Sequence, residues 1–147
     1  MTIRVFTQED LPQIFEIYSR SKLDELRFEE KTFSLLPLDQ DQKRLFALLE
    51  SDIYVFDDGH CIQGYGAVCG NEIRALFVLV EYRGKAIGKR LLEYLLSKIS
   101  SEASLNVAQS NYPAIELYSS YGFRVTDTFK TAYNQVPVIA QRMLLAK

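Results

Sequence analysis

A basic, glycine-containing turn that leads into a helix is the segment of this sequence with the most evident chemistry. The segment EYRGKAIGKRLLEYLLSKI occupies residues 81–99, with Gly84 and Gly88 near the expected helix start and Lys85 and Lys89 beside them. The first N–H groups of a helix lack intrahelical partners and carry about half a positive charge, so such a turn attracts phosphate or carboxylate. Glycine also lets the main chain approach an anion closely. The turn therefore predicts an anion site, although a solvated basic face of a surface helix accounts for the same residues.

Two sequence patterns together make this segment specific. The first is Q/R-x-x-G-x-G/A, which Arg83, Ala86 and Gly88 match with alanine in place of one glycine. Neither a Walker A loop nor a G-x-G-x-x-G fingerprint is present. The second is N-x-x-A-x-x-x-Y-x-x-x-G-F, which NYPAIELYSSYGF (residues 111–123) matches without a break. On these residues the chain resembles the GCN5-related N-acetyltransferase (GNAT) superfamily. The resemblance directly covers residues 72–123.

The resemblance implies a cleft where the fourth and fifth strands splay apart, with acetyl-CoA as co-substrate and no metal. Main-chain groups near Phe77 and Val78 would pair with the pantetheine arm, the amides of residues 83–88 would wrap the pyrophosphate, and Asn111 would support the arm from the other side. The implied cofactor-binding residues are Phe77, Val78, Arg83, Gly84, Lys85, Ala86, Ile87, Gly88, Lys89 and Asn111.

Two positions depart from the family pattern. Ala86 stands where glycine is usual, and its methyl group would narrow the phosphate approach or disfavour a positive φ. Val80 stands where proline is common. Neither change removes the backbone N–H groups that would donate to the phosphates, so the sequence predicts weaker binding rather than none.

Acetyl transfer requires a neutral amine, a polarised thioester carbonyl and a stabilised thiolate. Tyr118 resembles the tyrosine that family members use for the thiolate, whereas a core aromatic is the alternative in a chain with nine tyrosines. Proton transfer from a phenol of pKa about 10 to a thiolate of pKa about 8.5 is unfavourable by about 2 kcal/mol of free energy. This favours a hydrogen bond from Tyr118 to the thiolate over full proton transfer. Glu72 lies where some relatives place a general base. Its alternative role is a solvated charge at a strand end, paired to Arg74.

The acceptor side is expected in residues 21–50, which line the substrate side in this family. The acids Asp24, Glu29 and Glu30 would suit a cationic amine, and a solvated helix face explains them equally well. The predicted function is direct transfer of an acetyl group from acetyl-CoA to a primary amine without a covalent enzyme intermediate. The acceptor stays open among polyamines, amino acids, antibiotics and protein amino groups. The alternatives are a non-catalytic acyl-CoA-binding regulatory module and an interaction domain with no ligand.

The elements that must position these residues follow from hydrophobic periodicity. Helices are predicted over residues 8–20, 39–50, 87–99 and 113–121, with a further helix at 22–33 left open before the break at Pro37. Strands are predicted near residues 2–7, 52–57, 60–69, 71–79, 103–109, 123–129 and 136–145, with Asp58-Gly59 as a two-residue hairpin turn. A single domain over residues 1–147 is expected, with a GNAT-like α/β fold: a mixed, mostly antiparallel sheet of about seven strands flanked by about four helices.

Composition and charge narrow the function classes. The 147 residues are 48% hydrophobic and 24% charged, and the net charge of −2 disfavours nucleic acid as a partner. No export signal or membrane-spanning run is expected, which predicts a cytoplasmic protein without a membrane partner. Cys61 and Cys69 form no metal-ligand pattern and are expected to be reduced and buried, and His60 is expected at a hairpin edge. The sequence leaves a homodimer open.

Overall fold

A seven-stranded sheet organises the chain in the computed structural model, which describes residues 2–147. The strands are β1 (Thr2–Val5), β2 (Asp52–Asp57), β3 (Ile62–Cys69), β4 (Glu72–Val78), β5 (Ala103–Ala108), β6 (Arg124–Tyr133) and β7 (Val136–Leu145). The α-helices are α1 (Leu11–Ser21), α2 (Gln42–Leu49), α3 (Ile87–Ser97) and α4 (Tyr112–Ser120). Short 3₁₀ turns lie at Gln8–Asp10, Lys22–Leu26, Leu38–Gln40 and Val80–Tyr82. This is the α/β architecture predicted from the sequence.

The strand order is β1-β2-β3-β4-β5-β7-β6, and every neighbouring pair is antiparallel except β4 and β5. The parallel pair is joined only at Glu72–Ser104 and Ile73–Leu105. Beyond these two register positions β4 continues to Val78 and β5 to Ala108, but the two strands no longer pair with each other. The splay between the fourth and fifth strands that the family resemblance implied is therefore confirmed, and it leaves main-chain groups of both strands facing the gap.

The helices cover both faces of the sheet. Along β2, Val55 packs in the cluster that contains the buried face of α1, whereas its neighbour Phe56 packs against α3, as the alternation of side chains along a strand requires. The predicted stripe of α3 is buried, with Leu91 and Leu95 fully inaccessible. A Cβ added to Gly66 would lie 2.8 Å from a Leu95 methyl carbon. Because Gly66 has no side chain, α3 packs directly against the backbone of β3 at this position.

The local sequence explains where the helices begin. The Asp41 carboxylate accepts from the Arg44 N–H at 3.2 Å and caps α2, and a proline occupies the first turn of both α1 and α4. The α3 helix differs, because its N-cap residue is Ala86 in a left-handed conformation and no side chain caps its first amides. The amides at the start of α3 are thus left for another partner.

Two local expectations were wrong, and the helix that the sequence left open is absent. Residues 22–33 do not form an α-helix: only a 3₁₀ turn forms, because Leu26 alone of its residues is fully buried and Phe28 is half-exposed. The β2–β3 connection spans residues 58–61 rather than two residues, since the Asp58 carboxylate accepts from the amides of both His60 and Cys61. Cys61 and Cys69 are free thiols but only partly buried.

Residues 2–147 contain neither a membrane-spanning helix nor a cluster of metal-binding side chains. No helix in this range is long and apolar enough to cross a membrane. The same range contains no group of three or more His, Cys, Asp or Glu side chains arranged to hold a metal ion.

Candidate active site

The gap between β4 and β5 opens into two adjoining cavities. The first, here called the α3 cavity, has a volume of about 540 Å³ and extends from the end of β4 over the start of α3 to α4. The second, the α2 cavity, has a volume of about 510 Å³ and lies between α2, the 3₁₀ turn after α1 and the first half of β4. Both cavities are lined by Glu25, Leu76, Phe77, Asn106 and Tyr118. These shared residues mark the place where the two spaces meet.

The α3 cavity gathers the cofactor-binding residues predicted from the sequence. Every one of them lines it except Lys85, whose ammonium instead lies 5.6 Å from the centroid of the Tyr82 ring. Asn111, at the start of α4, is 7% exposed. Ser21 also lines this cavity, and its buried hydroxyl has no hydrogen-bond partner within residues 2–147. The cavity thus presents an unpartnered hydroxyl together with the uncapped start of α3.

The turn before α3 has the conformation that its glycines suggest. Gly84 has φ +82°, and Ala86 has φ 62° and ψ 18°. The concern raised by Ala86 was well placed, because a left-handed conformation costs an ordinary L-residue roughly 1–2 kcal/mol. A Cβ at Gly84 would meet nothing within 4 Å, and a Cβ at Gly88 would meet only a Val78 methyl carbon at 3.8 Å. The chain itself does not fill the space beside these glycines, which fits an extended anionic ligand lying against the backbone.

Two ion pairs tie the residues before α3 to the end of α1 and to the 3₁₀ turn that follows it. The Arg83 guanidinium donates to the Asp24 carboxylate at 2.8 Å and to the Val78 carbonyl oxygen at 3.1 Å. The Arg20 guanidinium donates to both oxygens of Glu81, at 2.8 and 2.7 Å. Asp24, expected on the acceptor side, therefore lies in the α3 cavity. The Val78 carbonyl, expected to pair with pantetheine, accepts a hydrogen bond from Arg83 in this structure.

Tyr118 lines both cavities, on the face of α4 that packs against Phe123. The two rings form an edge-to-face pair with centroids 5.8 Å apart. Burial raises the pKa of Tyr118 above its usual value, and the negative charge of Glu25 raises it further. The phenol is consequently protonated at neutral pH, and its hydroxyl can donate a hydrogen bond.

Glu72 also lines the α2 cavity, at the start of β4 where that strand still pairs with β5. Its carboxylate accepts from the Arg74 guanidinium at 2.7 Å. Arg74 also contacts the Glu50 carboxylate and donates to the Ala47 carbonyl at 3.0 Å. The structure thus brings Glu72 into the same cavity as Tyr118 and gives it the ion pair that the alternative interpretation required.

Glu25 is the site residue that sequence reasoning missed. It lies in the 3₁₀ turn after α1, lines both cavities, and accepts from the Lys22 ammonium at 2.8 Å. Burial raises the pKa of Tyr18, Tyr65 and Tyr118, the negative charge of Glu25 adds to this effect in each, and all three tyrosines line the α2 cavity with Glu25. No motif marks this residue. Only the 3₁₀ turn, which replaces the helix considered for residues 22–33, brings it to the junction.

Tyr18 is a second missed residue, because the sequence placed it on the core face of α1. Its side chain is 4% exposed and lines the α2 cavity, and its hydroxyl has no hydrogen-bond partner within the described chain. The neighbouring Tyr133 hydroxyl is engaged by the main chain of Leu36, whose N–H donates to it at 2.9 Å. An unpartnered buried hydroxyl costs roughly 1–3 kcal/mol, so a ligand in the α2 cavity would find a ready partner in Tyr18.

Comparisons with known proteins agree with this geometry. The family model described as "Acetyltransferase (GNAT) domain" matches residues 49–125, just over half of the chain. The peptidyl-lysine N-acetyltransferase YiaC of Escherichia coli is 26% identical over 138 residues, which cover 92% of this chain and 91% of YiaC. The peptidyl-lysine N-acetyltransferase YjaB of Salmonella typhimurium is 35% identical over 63 residues, and this match covers only 43% of each protein.

The fold also has a solved counterpart. The structure of yncA from Salmonella typhimurium with its cofactor acetyl-CoA superposes with a TM-score of 0.69 at 21% identity. The superposition covers 99% of this chain and 93% of that one. At this identity the likeness concerns the fold alone.

Proposed function

The chain belongs to the GNAT acetyltransferase family and is an acyltransferase, and on this premise we propose that it transfers the acetyl group of acetyl-CoA directly to a primary amine. The observation that carries the proposal is the position of Tyr118, which lines both cavities at their junction. A group at this point can meet a thioester that enters from the α3 cavity and an amine that enters from the α2 cavity. We also propose that residues 1–147 form a single acetyltransferase domain.

The α3 cavity is the proposed acetyl-CoA site. The uncapped amides at the start of α3 and the positive φ of Gly84 suit a pyrophosphate, and Lys89 lines the same space. The unpaired edge of β4 near Phe77 and Val78 suits the amide groups of the pantetheine arm, with Asn111 opposite. Lys85 takes no direct part in this arrangement, because its side chain lies against Tyr82.

In the proposed reaction the neutral amine nitrogen attacks the thioester carbonyl carbon. A C–N bond forms, the C–S bond breaks, and the electron pair of that bond leaves on sulfur as the CoA thiolate. The Tyr118 hydroxyl donates a hydrogen bond to this sulfur, because its raised pKa keeps the phenol protonated and opposes full proton transfer. The proton lost by the amine passes to a carboxylate or to water, and the thiolate is protonated from solvent.

Two carboxylates are candidates for that proton. Glu72 is the base suggested by the family resemblance, and its carboxylate is engaged by the Arg74 guanidinium. Glu25 lies at the junction beside Tyr118 and is balanced by a single ion pair with Lys22. A carboxylate cannot efficiently deprotonate an ammonium of pKa about 10.4, so either residue would act on an amine already neutral or through water.

One comparison, rather than the structure, suggests which class of amine accepts the acetyl group. YiaC, which matches nearly the whole chain, is named as a peptidyl-lysine N-acetyltransferase. We therefore propose the ε-amine of lysine, free or in a peptide, as the first acceptor to test.

The test combines binding and turnover. Acetyl-CoA should raise the melting temperature of the protein, and free thiol should appear when amines are added. A rise in melting temperature without thiol release from any amine would favour a non-catalytic acyl-CoA-binding module, the alternative that the sequence left open. No response to CoA at all would remove both interpretations.

A further inference from the structure

The charges that line the α2 cavity are unevenly distributed. Its basic lining residues are Lys22, Lys43, Arg44 and Arg74, against two acids, Glu25 and Glu72, in a chain whose net charge is −2. Glu25 lies at the end shared with the α3 cavity, where the amine must meet the thioester. The cavity thus has an acid at its reacting end and an excess of bases along the rest of its wall.

The ion pairs inside this group leave particular donors free. Lys22 is held by Glu25 at 2.8 Å, and Arg74 by Glu72 and Glu50. Arg44 contacts Asp41 through Nε, at 3.3 Å, and the terminal nitrogens of its guanidinium donate no hydrogen bond within residues 2–147. Lys43 forms no salt bridge with any residue from Thr2 to Lys147.

Lys22 and Arg44, which both line the α2 cavity, lie close to the same aromatic ring. The Lys22 ammonium and the Arg44 guanidinium each lie 5.3 Å from the centroid of the same ring, that of Tyr133. Two neighbouring cations are destabilised by each other and stabilised by an anion, and a planar guanidinium matches a carboxylate with two parallel hydrogen bonds. This part of the cavity has the chemistry of a carboxylate subsite.

The hydroxyl of Tyr18 gives an independent sign that the cavity is built for a polar ligand. It is buried, unpartnered within the described chain, and lines the same space. Burial raises the pKa of Tyr18, the positive charge of Arg44 acts in the opposite direction, and both residues line the α2 cavity. A ligand carboxylate held by Arg44 would therefore lie near a hydroxyl that can donate to it.

We propose that the α2 cavity selects amines that also carry a carboxylate, held by Lys43 and Arg44, while the amine is directed toward Glu25 and Tyr118. The proposal rests on the acetyl-transfer function proposed above and specifies its acceptor class. It separates this protein from an acetyltransferase of polyamines, whose second cation would meet Lys43 and Arg44. The acids Asp24, Glu29 and Glu30, which suggested a cationic acceptor from sequence, do not line this cavity.

The experiment compares three amines that share one reacting group. Nα-acetyl-lysine carries a carboxylate, Nα-acetyl-lysinamide replaces it with a neutral amide, and cadaverine replaces it with a second amine. We expect kcat/KM to be about tenfold or more higher for the carboxylate form, because hydrogen bonds between charged groups are stronger than those between neutral groups. A second series of α-amino acids, their amides and short diamines repeats the comparison for smaller acceptors.

Two variants test whether Lys43 and Arg44 cause the preference for a carboxylate. Lys43→Gln and Arg44→Gln should each reduce the carboxylate preference and leave the rise in melting temperature with CoA unchanged. Lys130→Gln and Arg124→Gln are the matched controls, because both side chains are exposed on β6 and line neither cavity.

Equal or faster transfer to the amides or diamines overturns the charge selection and leaves the acetyltransferase function intact. Preference for the carboxylate forms that persists in both variants overturns the assignment to Lys43 and Arg44. Turnover of no amine in either series, with CoA still bound, overturns this proposal, and the same result with a lysine-containing peptide overturns the proposed transfer to an amine as well. Loss of the preference in both variants, with controls unchanged, establishes the subsite.

Discussion

The guanidinium of Arg83 donates to the carboxylate of Asp24 at 2.8 Å, which joins the turn before α3 to the 3₁₀ turn after α1. Both residues line the α3 cavity, and both side chains are 40% exposed. The contact brings a negative charge into the space proposed for a pyrophosphate. Binding of that anion and the Arg83–Asp24 ion pair therefore compete for the same guanidinium.

The first prediction concerns this competition. Asp24→Asn should raise CoA affinity roughly two- to fivefold, in line with the 0.2–1 kcal/mol typical of an exposed ion pair. Isothermal calorimetry with CoA measures the effect, and Asp39→Asn, an exposed change outside the cavity, is the control. A weaker affinity in Asp24→Asn would mean that the ion pair organises the turn for binding rather than opposing it.

The second prediction concerns Ala86. Because this residue has φ 62° and lies outside the helix proper, Ala86→Gly should stabilise the protein by about 1 kcal/mol. This reverses the expectation for a helical position, where glycine costs about 0.5–1 kcal/mol. Urea unfolding measures the change, and Ala47→Gly inside α2 should show the opposite sign. CoA affinity should rise or stay level, and a clear fall would show that the methyl group suits the bound turn.

The third prediction separates packing from binding at two glycines. Gly66→Ala should destabilise the fold by about 1–3 kcal/mol, since the new Cβ would lie 2.8 Å from a Leu95 methyl carbon. Gly88→Ala should leave the melting temperature unchanged or higher, because its nearest new contact is at 3.8 Å, yet it should weaken CoA binding. Unchanged CoA affinity in a folded Gly88→Ala protein would contradict a backbone approach of the phosphates at α3.

The fourth prediction concerns the hydroxyl of Tyr118. Tyr118→Phe keeps the ring that packs on Phe123, so kcat should fall about 10- to 100-fold, at the low end of acid assistance, with CoA affinity little changed. Because burial raises the pKa of Tyr118, the rate should show no loss from its ionisation up to pH 10. Tyr121→Phe is the control, since its hydroxyl contacts Glu93 and lines neither cavity. A Tyr118→Phe protein with the parental rate of the chemical step would return Tyr118 to a purely structural role.

The fifth prediction ranks the two carboxylates. Glu25→Gln should lower kcat/KM for the acceptor about 10- to 100-fold, because it removes the acid at the junction of the cavities. Glu72→Gln should lower it less, because Arg74 already holds that carboxylate. Both variants are compared at several pH values, with the melting temperature as a check on folding. A larger loss for Glu72→Gln, with a change in the acid limb of the pH profile, would reassign the base to Glu72.

The sequence predicted the strands well because their signals are local, whereas the splay between the fourth and fifth strands was expected only from the family resemblance. Alternating β-branched and aromatic residues mark β2 to β4, and the stripe of α3 sets which face of that helix packs on the sheet. The turn before α3 was also indicated, because glycine tolerates the positive φ that Gly84 has, whereas Ala86 has a positive φ against the preference of a residue with a Cβ.

The acceptor side was less predictable, for a physical reason. Residues 22–33 contain too few apolar positions to fix a helix by periodicity, so tertiary packing of Leu26 with Tyr133 and Val138 decides their path. That path brings Glu25 to the junction and Asp24 to the opposite cavity. Sequence spacing also could not reveal that Lys85 would lie against Tyr82, or that the Tyr18 hydroxyl would lack a partner.

The two register positions that join β4 to β5 have a consequence for how the protein unfolds. The sheet consists of a block from β1 to β4 and a block from β5 to β7, held together there by very little backbone pairing. In the absence of ligand, the amides along the open part of β4 should exchange with solvent faster than those of β3, and the two blocks should open as partly separate cooperative units. A pantetheine arm in the gap would pair with both blocks, so that bound acetyl-CoA would connect the two halves of the sheet.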